Sequence, residues 1–221
     1  MMTNLFSTFD PSTSMKLSMN WMSSLLCLLI VPNLFWPLYN RIFIMFNTVI
    51  INLYKEFKML MGKTSKGMTM MMISLFMFIM INNMMGILPY IFTSSSHLTF
   101  SLTMAMPLWI SFMLFGWINK TNFMFTHLIP SGTPTILMPF MVLIETISNI
   151  MRPGSLAVRL TANMIAGHLM MSLLGNNSIN EPYMIMIFIV QMSLMMFETA
   201  VALIQAYVFS VLSTLYSSEV L

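Results

Sequence analysis

Two apolar stretches near the C-terminus contain ionisable side chains at a spacing of seven residues. In the first stretch these residues are Glu145, Arg152 and Arg159. At about 100° of rotation per residue, positions seven apart on an α-helix drift by only about 20°, so the three side chains share one face. Ionisable groups in lipid are costly unless they are paired or hydrated, so in a membrane helix such a face predicts a path for protons or ions.

The second stretch has the acids Glu198 and Glu219 and the amide Gln205 at spacings of seven and fourteen residues. These positions fall within a sector of roughly 60°, and the rise from Glu198 to Glu219 is about 31 Å in an α-helix. The hydrocarbon core of a bilayer is about 30 Å thick. The two acids are therefore expected near opposite surfaces of the membrane.

Arg159 has no acidic residue within one helical turn. Its neighbours three and four positions away are Ser155, Leu156, Ala162 and Asn163. A guanidinium group does not lose its proton in proteins, so it cannot become neutral in an apolar environment. Its counter-charge must come from elsewhere, and another chain is one source.

Simpler interpretations are open for individual residues. Glu219 could extend from the end of its helix to the lipid headgroups. His168 could satisfy a hydrogen bond in the core, and Arg152 could cap or brace a bend at the Pro-Gly pair that follows it. Only Arg159 resists every interpretation of this kind.

The composition identifies the surroundings of these residues as a membrane. Of the 221 residues, 58% are hydrophobic and 7% are charged, and the mean hydropathy is +0.85. These values lie far outside the range of soluble globular domains. The net charge of +3 is spread thinly and gives no basis for nucleic-acid binding. With one cysteine, Cys27, no disulfide or CxxC metal site is possible, and we expect no cofactor or metal.

We predict an all-α membrane protein that forms a single domain over residues 1–221. About five membrane helices are expected at 17–36, 68–91, 98–118, 135–174 and 182–218, with one amphipathic surface helix at 41–62. Segment 119–134 is predicted to be a loop because it contains Pro and Gly. The last two helices are too long for an upright crossing, so we expect them to be steeply tilted and packed antiparallel.

The distribution of lysines predicts the orientation. Most of them lie between the first two predicted spans, and the positive-inside rule assigns that segment to the inner side of the membrane. Glu145 and Glu219 are then expected toward the inner side, and His168 and Glu198 toward the outer side. Arg159 separates the two groups.

The same stretches resemble a known family. The segments "RPGSLAVRLTANMIAGHL", "LIPSGTPTILMPFMVLIETIS" and "ETAVALIQAYVFSVLSTLY" resemble subunit a of F-type ATP synthases, in its mitochondrially encoded form. The opening "FSTFDPS" is also similar, and the resemblance covers essentially the whole chain. It implies a multi-pass protein of the mitochondrial inner membrane that is not an enzyme on its own but the proton-channel subunit of the F0 sector. The implied partners are the c-ring, other F0 and peripheral-stalk subunits, protons and the lipid bilayer.

The resemblance also implies a role for the arginine. Arg159 matches the family's essential arginine, which faces a carboxylate of the c-ring. Asn163 and Gln205 match polar neighbours of that arginine. The implied function is to couple proton flow to ring rotation and ATP synthesis, through two offset half-channels that reach the c-ring carboxylate around the arginine.

The resemblance assigns further residues to these half-channels. His168 and Glu198 match the half-channel on the intermembrane-space side, and Glu145 and Glu219 match the one on the matrix side. Bacterial relatives carry the acid and the imidazole exchanged between positions 168 and 198, which indicates that the pair works as a unit. Many relatives have aspartate where this chain has Glu219.

Two other classes of protein are compatible with the residues alone. A self-contained secondary transporter or channel subunit would also have ionisable groups near the middle of the membrane, but transporters usually contain two related halves and this sequence shows no internal repeat. An assembly protein of another respiratory complex would leave Arg159 unexplained.

Overall fold

The computed structural model describes residues 5–14, 17–31, 40–62, 67–129, 134–177 and 184–220. Within these ranges it contains seven α-helices: α1 (Leu26–Ile30), α2 (Arg41–Met61), α3 (Met68–Ile87), α4 (Leu98–Asn119), α5 (Thr121–Leu128), α6 (Met138–Asn177) and α7 (Met184–Val220). Helices α3, α4, α6 and α7 are long and apolar enough to cross a membrane, and Met19–Ile30 forms a shorter apolar helical stretch. The chain is therefore an all-α membrane protein.

The first helical stretch is shorter than the helix predicted over 17–36. It begins at Met19 in 3-10 geometry and ends with α1 at Ile30. Val31 is extended, with φ −62° and ψ 119°, because the proline that follows disfavours the helical conformation of the residue before it. Residues 32–36 of the predicted helix lie outside the described residues.

A proline also ends α3 before the predicted boundary at 91. Leu88 precedes Pro89 and is extended, with φ −68° and ψ 138°. By contrast, the predicted loop over 119–134 is wrong for its first half, which forms α5. The break at Lys120 (φ −133°, ψ 50°) separates α5 from α4, and the prolines and the glycine of the segment all follow α5.

Helix α3 is buried along most of its length. Helix α7 packs extensively against it through a face of small and hydroxyl-bearing residues: Ala202, Ala206, Ser210, Ser213, Thr214 and Ser217. Small side chains allow helix backbones to approach closely. The hydroxyls donate to carbonyl oxygens three residues earlier, as Ser210 does to Tyr207 at 2.9 Å. These local bonds satisfy the hydroxyls within their own helix.

Helix α2 packs along one side of α3 and α7. Its buried residues are Leu53, Phe57 and Met61, and the Tyr207 hydroxyl of α7 donates to the Glu56 carboxylate at 3.2 Å. The helix predicted at 41–62 is therefore present. It buries one face of its C-terminal half against the protein and leaves its charged residues exposed.

Helices α6 and α7 run antiparallel and define two ends of the molecule. The His97 end contains the connection 88–97 between α3 and α4, together with the N-terminal segment, the end of α6 and the start of α7. The Lys120 end contains the break between α4 and α5, together with the start of α6 and the end of α7. The acids and the histidine of α6 and α7 lie toward these two ends, whereas Arg159 lies between them.

Candidate functional site

The polar residues of α6 and α7 meet at three levels along the helix pair. From the His97 end to the Lys120 end, the levels are centred on His168, Arg159 and Arg152. Every residue predicted as part of the site lies at one of these levels. Each level combines residues of α6 with residues of α7, so the antiparallel packing assembles all three.

The level at the His97 end is a cavity of about 370 Å³ lined by Asn163, His168 and Glu198. The His168 ring lies beside the backbone of Gly86, and its Nε2 atom is buried without a partner among the described residues. Glu198 likewise has no hydrogen-bond or ion-pair partner in the described ranges. The fold thus brings an imidazole and a carboxyl group into one cavity, and both groups can accept and donate protons.

Glu198 reaches this cavity because Gly167 has no side chain. A Cβ atom at position 167 would lie 2.6 Å from the carboxyl carbon of Glu198. At Gly154 and Gly175, which are also on α6, an added Cβ atom would meet no atom within 4 Å. Among these three glycines, the close approach is therefore specific to the level of His168 and Glu198.

A second cavity, of about 790 Å³, lies at the His97 end, and His168 lines both cavities. The Phe9 ring forms part of its wall and contacts the His168 ring edge-on, with ring centroids 6.2 Å apart. Asp10 accepts hydrogen bonds from the backbone and the hydroxyl of Ser12, which hold the pKa of its carboxyl below the ordinary value. Sequence analysis gave Phe9 and Asp10 no role, although both lie in the similar segment "FSTFDPS".

Polar residues near the end of α3 were also missed. Asn83 is fully buried, and neither its amide nitrogen nor its amide oxygen has a partner among the described residues. Asn82, Ser95 and His97 also have buried side-chain atoms without a hydrogen-bond partner among the described residues. Buried polar atoms usually bond either the protein or water, so these groups make the His97 end a polar region. Two adjacent asparagines in an apolar helix were the signal in the sequence.

The middle level contains an exposed arginine. No carboxylate of the described residues lies within ion-pair distance of the Arg159 guanidinium. The buried Gln205 amide donates to the backbone carbonyl of Arg159 at 3.4 Å, so it contacts the helix and not the charge. Asn163, one turn further along α6, is exposed. Within the described part of the chain, the charge of Arg159 therefore has no counterion.

Arg159 lies among exposed residues of α6 and α7 that we name the Arg159 face: Arg159, Ala162, Asn163, Ala166, Phe197, Ala200 and Ile204. Three of these seven residues are alanines, and Arg159 alone is charged. A surface of small side chains permits close approach of another helix in a membrane. The arginine can therefore meet a group carried by that helix.

The level at the Lys120 end is an ion-pair cluster around Arg152. Its Nη1 atom donates to Oε2 of Glu219 at 2.9 Å, and its Nη2 atom lies 3.6 Å from Oε1 of Glu145. The guanidinium also lies 5.0 Å from the centre of the Tyr216 ring. With His127 of α5, these groups line a cavity of about 310 Å³. The sequence indicated a cap or brace for Arg152, whereas the structure joins it to both acids.

Apolar packing separates the cavity of Glu198 from the cavity of Glu145. The buried residues between them are Leu156, Ala157, Leu160, Ala206 and Phe209. No residue lines both cavities. The space beside Arg159 and Gln205 is only about 10 Å³, roughly the minimum volume that one water molecule occupies. These three cavities have no lining residue in common.

The residue types at the three levels favour proton chemistry over metal binding. Within the described ranges, no three His, Cys, Asp or Glu side chains lie close enough together to hold a metal ion. The groups present are carboxyl, imidazole and guanidinium groups. The first two exchange protons near neutral pH when their surroundings adjust them, and the third supplies a permanent positive charge.

Sequence comparisons identify the family of this chain. A family profile described as "ATP synthase A chain" matches residues 13–218. The ATP synthase subunit a of Locusta migratoria is 61% identical over 224 residues, and those of Aedes aegypti and Drosophila melanogaster are 60% identical over 225 residues and 59% identical over 223. Each alignment covers 100% of both chains. The chain therefore belongs to the ATP synthase A chain family.

Proposed function

We propose that this chain is the proton-translocating subunit of the F0 sector of mitochondrial ATP synthase, in the inner membrane. It is not catalytic on its own. It couples proton flow to rotation of a c-ring that docks on the Arg159 face, and it is held by other F0 and peripheral-stalk subunits. Relatives named ATP synthase subunit a support membership of the complex, and four apolar helices support a multi-pass position in a membrane.

The position of α2 supports the direction of transport. Helix α2 ends beside the Lys120 end, where the Ser217 hydroxyl oxygen lies 2.7 Å from the Met61 sulfur. It carries Lys55 and Lys58. The positive-inside rule assigns this end to the matrix. The His97 end then faces the intermembrane space, and its larger cavity leads from that side to His168.

Proton uptake takes place at the level of His168 and Glu198. A proton from the intermembrane space reaches His168, which lines both the larger cavity and the cavity of Glu198. From this pair it passes to a deprotonated acid of the ring. Asn163 lines the same cavity and is also exposed on the Arg159 face, so it lies where the proton leaves this chain.

Arg159 sets the point at which the ring acid can exist as an anion. A carboxyl group in lipid stays neutral because desolvation penalises its charged form, whereas a nearby cation favours the charged form. Each ring acid therefore loses its proton only when it approaches Arg159. Rotation then carries the reprotonated acid away through lipid.

Proton release takes place at the other end of the same helix pair. The proton given up near Arg159 leaves toward Glu145 and Glu219 and reaches the matrix through their cavity. The apolar residues around Leu160 and Phe209 prevent a direct passage between the two ends. Protons can therefore cross the membrane only while they are bound to carboxyl groups of the ring. This requirement couples proton flow to rotation.

One observation carries the proposal: an arginine without a counterion among the described residues lies on an exposed face that is otherwise uncharged and includes three alanines. A self-contained transporter would enclose its binding site within its own fold, whereas Arg159 is open to a second molecule in the membrane. An unpaired charge at this depth in the membrane is costly, and the role of an assembly factor does not require one. A rotating partner that brings one carboxyl group after another accounts for it.

The direct test replaces Arg159 by Gln in the whole ATP synthase. We expect ATP-driven proton pumping into vesicles to fall by at least about 100-fold, because the ring acid loses the charge that favours its ionised form. The amount of assembled complex should stay near wild type. Arg41→Gln is the matched control, since it removes an exposed arginine that lines none of the cavities at the three levels. Pumping by Arg159→Gln near the wild-type rate would overturn the proposal.

A further inference from the structure

Arg152 occupies a position that the proposed transport steps do not explain. It is bound at once to an acid of its own helix, Glu145, and to an acid near the end of α7, Glu219, at 3.6 Å and 2.9 Å. The three side chains are partly exposed, at 28% for Arg152, 38% for Glu145 and 50% for Glu219. They therefore lie where water from the cavity can reach them.

The composition of the cavity makes Arg152 its main positive charge. The titratable and charged groups that face it are Glu145 and Arg152 from α6, Tyr216 and Glu219 from α7, and His127 from α5. Helix α4 contributes aromatic and apolar residues to the wall. Of these groups only Arg152 is cationic at every pH of interest. The two acids thus share one permanent counterion.

The arrangement also fixes where Arg152 lies. Its guanidinium stacks near Tyr216, 5.0 Å from the ring centre, and a guanidinium over an aromatic face is a stabilising contact. Tyr216 and Glu219 are three residues apart on α7, so they form one side of a socket for the arginine. Glu145 is two turns before Arg152 on α6 and closes the socket on the other side.

We propose that Arg152 is a positioning residue that holds Glu145 and Glu219 together as a pair of proton acceptors on the release path. This inference rests on the proposed function. Two carboxylates drawn to one point would repel each other and retain a shared proton if the cation were absent. With Arg152 between them, both stay charged. A proton that arrives on one carboxylate neutralises that group and releases it from the guanidinium. Water at the matrix side then takes the proton, and the ion pair forms again.

A purely mechanical tether between α6 and α7 makes a different prediction. Loss of a tether would lower the stability of the complex, or it would lower the rate of synthesis by the same factor at every pH. Loss of a shared counterion changes the pH at which the acids release protons, and only on the side of the membrane that they face. The pH dependence of transport therefore separates the two roles.

The experiment measures proton-driven ATP synthesis by the whole complex in vesicles as a function of matrix-side pH. The outer pH is fixed, and a potassium diffusion potential keeps the total driving force constant. For Arg152→Gln we expect the matrix-side pH of half-maximal synthesis to rise by about one unit. Arg152→Lys, which keeps the charge, should restore a midpoint close to wild type. The dependence on outer pH should be unchanged in both variants.

Two further variants sharpen the result. Arg152→Gln combined with Glu219→Gln removes the repulsion together with the cation, so its midpoint should return toward that of wild type. Arg41→Gln is the control, because it removes an exposed arginine that does not line this cavity, and it should leave the midpoint unchanged. The inference is overturned if Arg152→Gln only lowers the rate and leaves the midpoint in place, or if Arg152→Lys and Arg152→Gln shift it equally.

The single variants Glu145→Gln and Glu219→Gln separate this inference from the function on which it rests. If each of these variants lowers the rate of synthesis but Arg152→Gln does not change the pH midpoint, only the role of Arg152 is wrong. If neither acid affects the rate of synthesis, the release path itself is wrong, and the assignment of Arg152 fails with it.

Discussion

The two ends of the α6–α7 pair present ionisable groups in opposite ways. At the His97 end, His168 and Glu198 share a cavity without any cation, and Glu198 has no partner among the described residues. At the Lys120 end, Glu145 and Glu219 are both paired with Arg152. The difference matches two tasks. A group that takes up a proton must be able to hold it, whereas a group that releases a proton must favour its charged form.

The two ends also differ in how closely their helices pack. The carboxyl group of Glu198 lies against the backbone of Gly167, where a single methyl group would displace it. At the other end, a cavity lined partly by aromatic residues lies between the ion pairs and helices α4 and α5. In the proposed mechanism, uptake therefore depends on one close approach between two helices, and release depends on a charge cluster that is open to water.

The largest expected effect tests whether His168 and Glu198 act as one relay. His168→Ala and Glu198→Gln should each lower proton-driven ATP synthesis by about 100-fold, since each removes a proton-exchanging group. The exchange of the two groups, His168→Glu with Glu198→His, should retain about tenfold more activity than His168→Glu or Glu198→His alone, because an imidazole and a carboxyl group still share the cavity. A double-mutant cycle on synthesis rates measures the coupling. Strictly additive losses would mean that the two residues serve separate roles.

The next effect tests the close packing of the His97 end. Gly167→Ala should lower proton-driven synthesis by about tenfold, because a displacement of the Glu198 carboxyl group by about 1 Å moves it out of its transfer geometry. The rate of synthesis is compared with the amount of assembled complex, so that a folding defect is separated from a transport defect. Full activity in Gly167→Ala would show that the position of Glu198 is not constrained in this way.

Two glycine variants serve as controls for that result and complete the comparison between the ends. Gly175→Ala should stay within about twofold of wild type, because the new methyl group enters open space. Gly116→Ala at the Lys120 end would meet the Val220 and Met124 side chains at 2.9 Å and 3.0 Å. The Met124 side chain is flexible and Val220 is the last residue of α7, so both can shift, and we expect a loss of only about twofold to threefold. A larger loss in Gly116→Ala than in Gly167→Ala would reverse the contrast drawn between the two ends.

The helices could be anticipated where the local sequence controls them. α4 begins at Leu98, as predicted, and α2 begins at Arg41. The first helix is shorter than predicted because the effect of a proline on the residue before it decides its end at Val31. The prediction missed α5 because it treated 119–134 as one segment. The prolines and the glycine lie only in the second half of that segment.

The composition of the site could be anticipated further than its contacts. Seven-residue spacing predicted that Glu145 and Arg152 share a helix face, but their partner Glu219 is on α7, and only the register of the antiparallel packing brings it within 2.9 Å. The resemblance assigned Gln205 to the neighbourhood of Arg159, but not to its backbone carbonyl. Contacts between helices depend on tertiary packing, which a helical period along one chain does not contain. The transport roles of these residues remain predictions that the experiments test.

The most direct test of two separate half-paths is chemical labelling from each side of the membrane. The native cysteine is first removed by Cys27→Ser, and single variants then introduce cysteine at positions 168, 198, 145 and 219 in the whole complex. We expect a water-soluble thiol reagent to modify the first two from the intermembrane-space side only. The last two should react from the matrix side only, because apolar packing between the cavities blocks the reagent. Labelling of all four positions from one side would contradict the account.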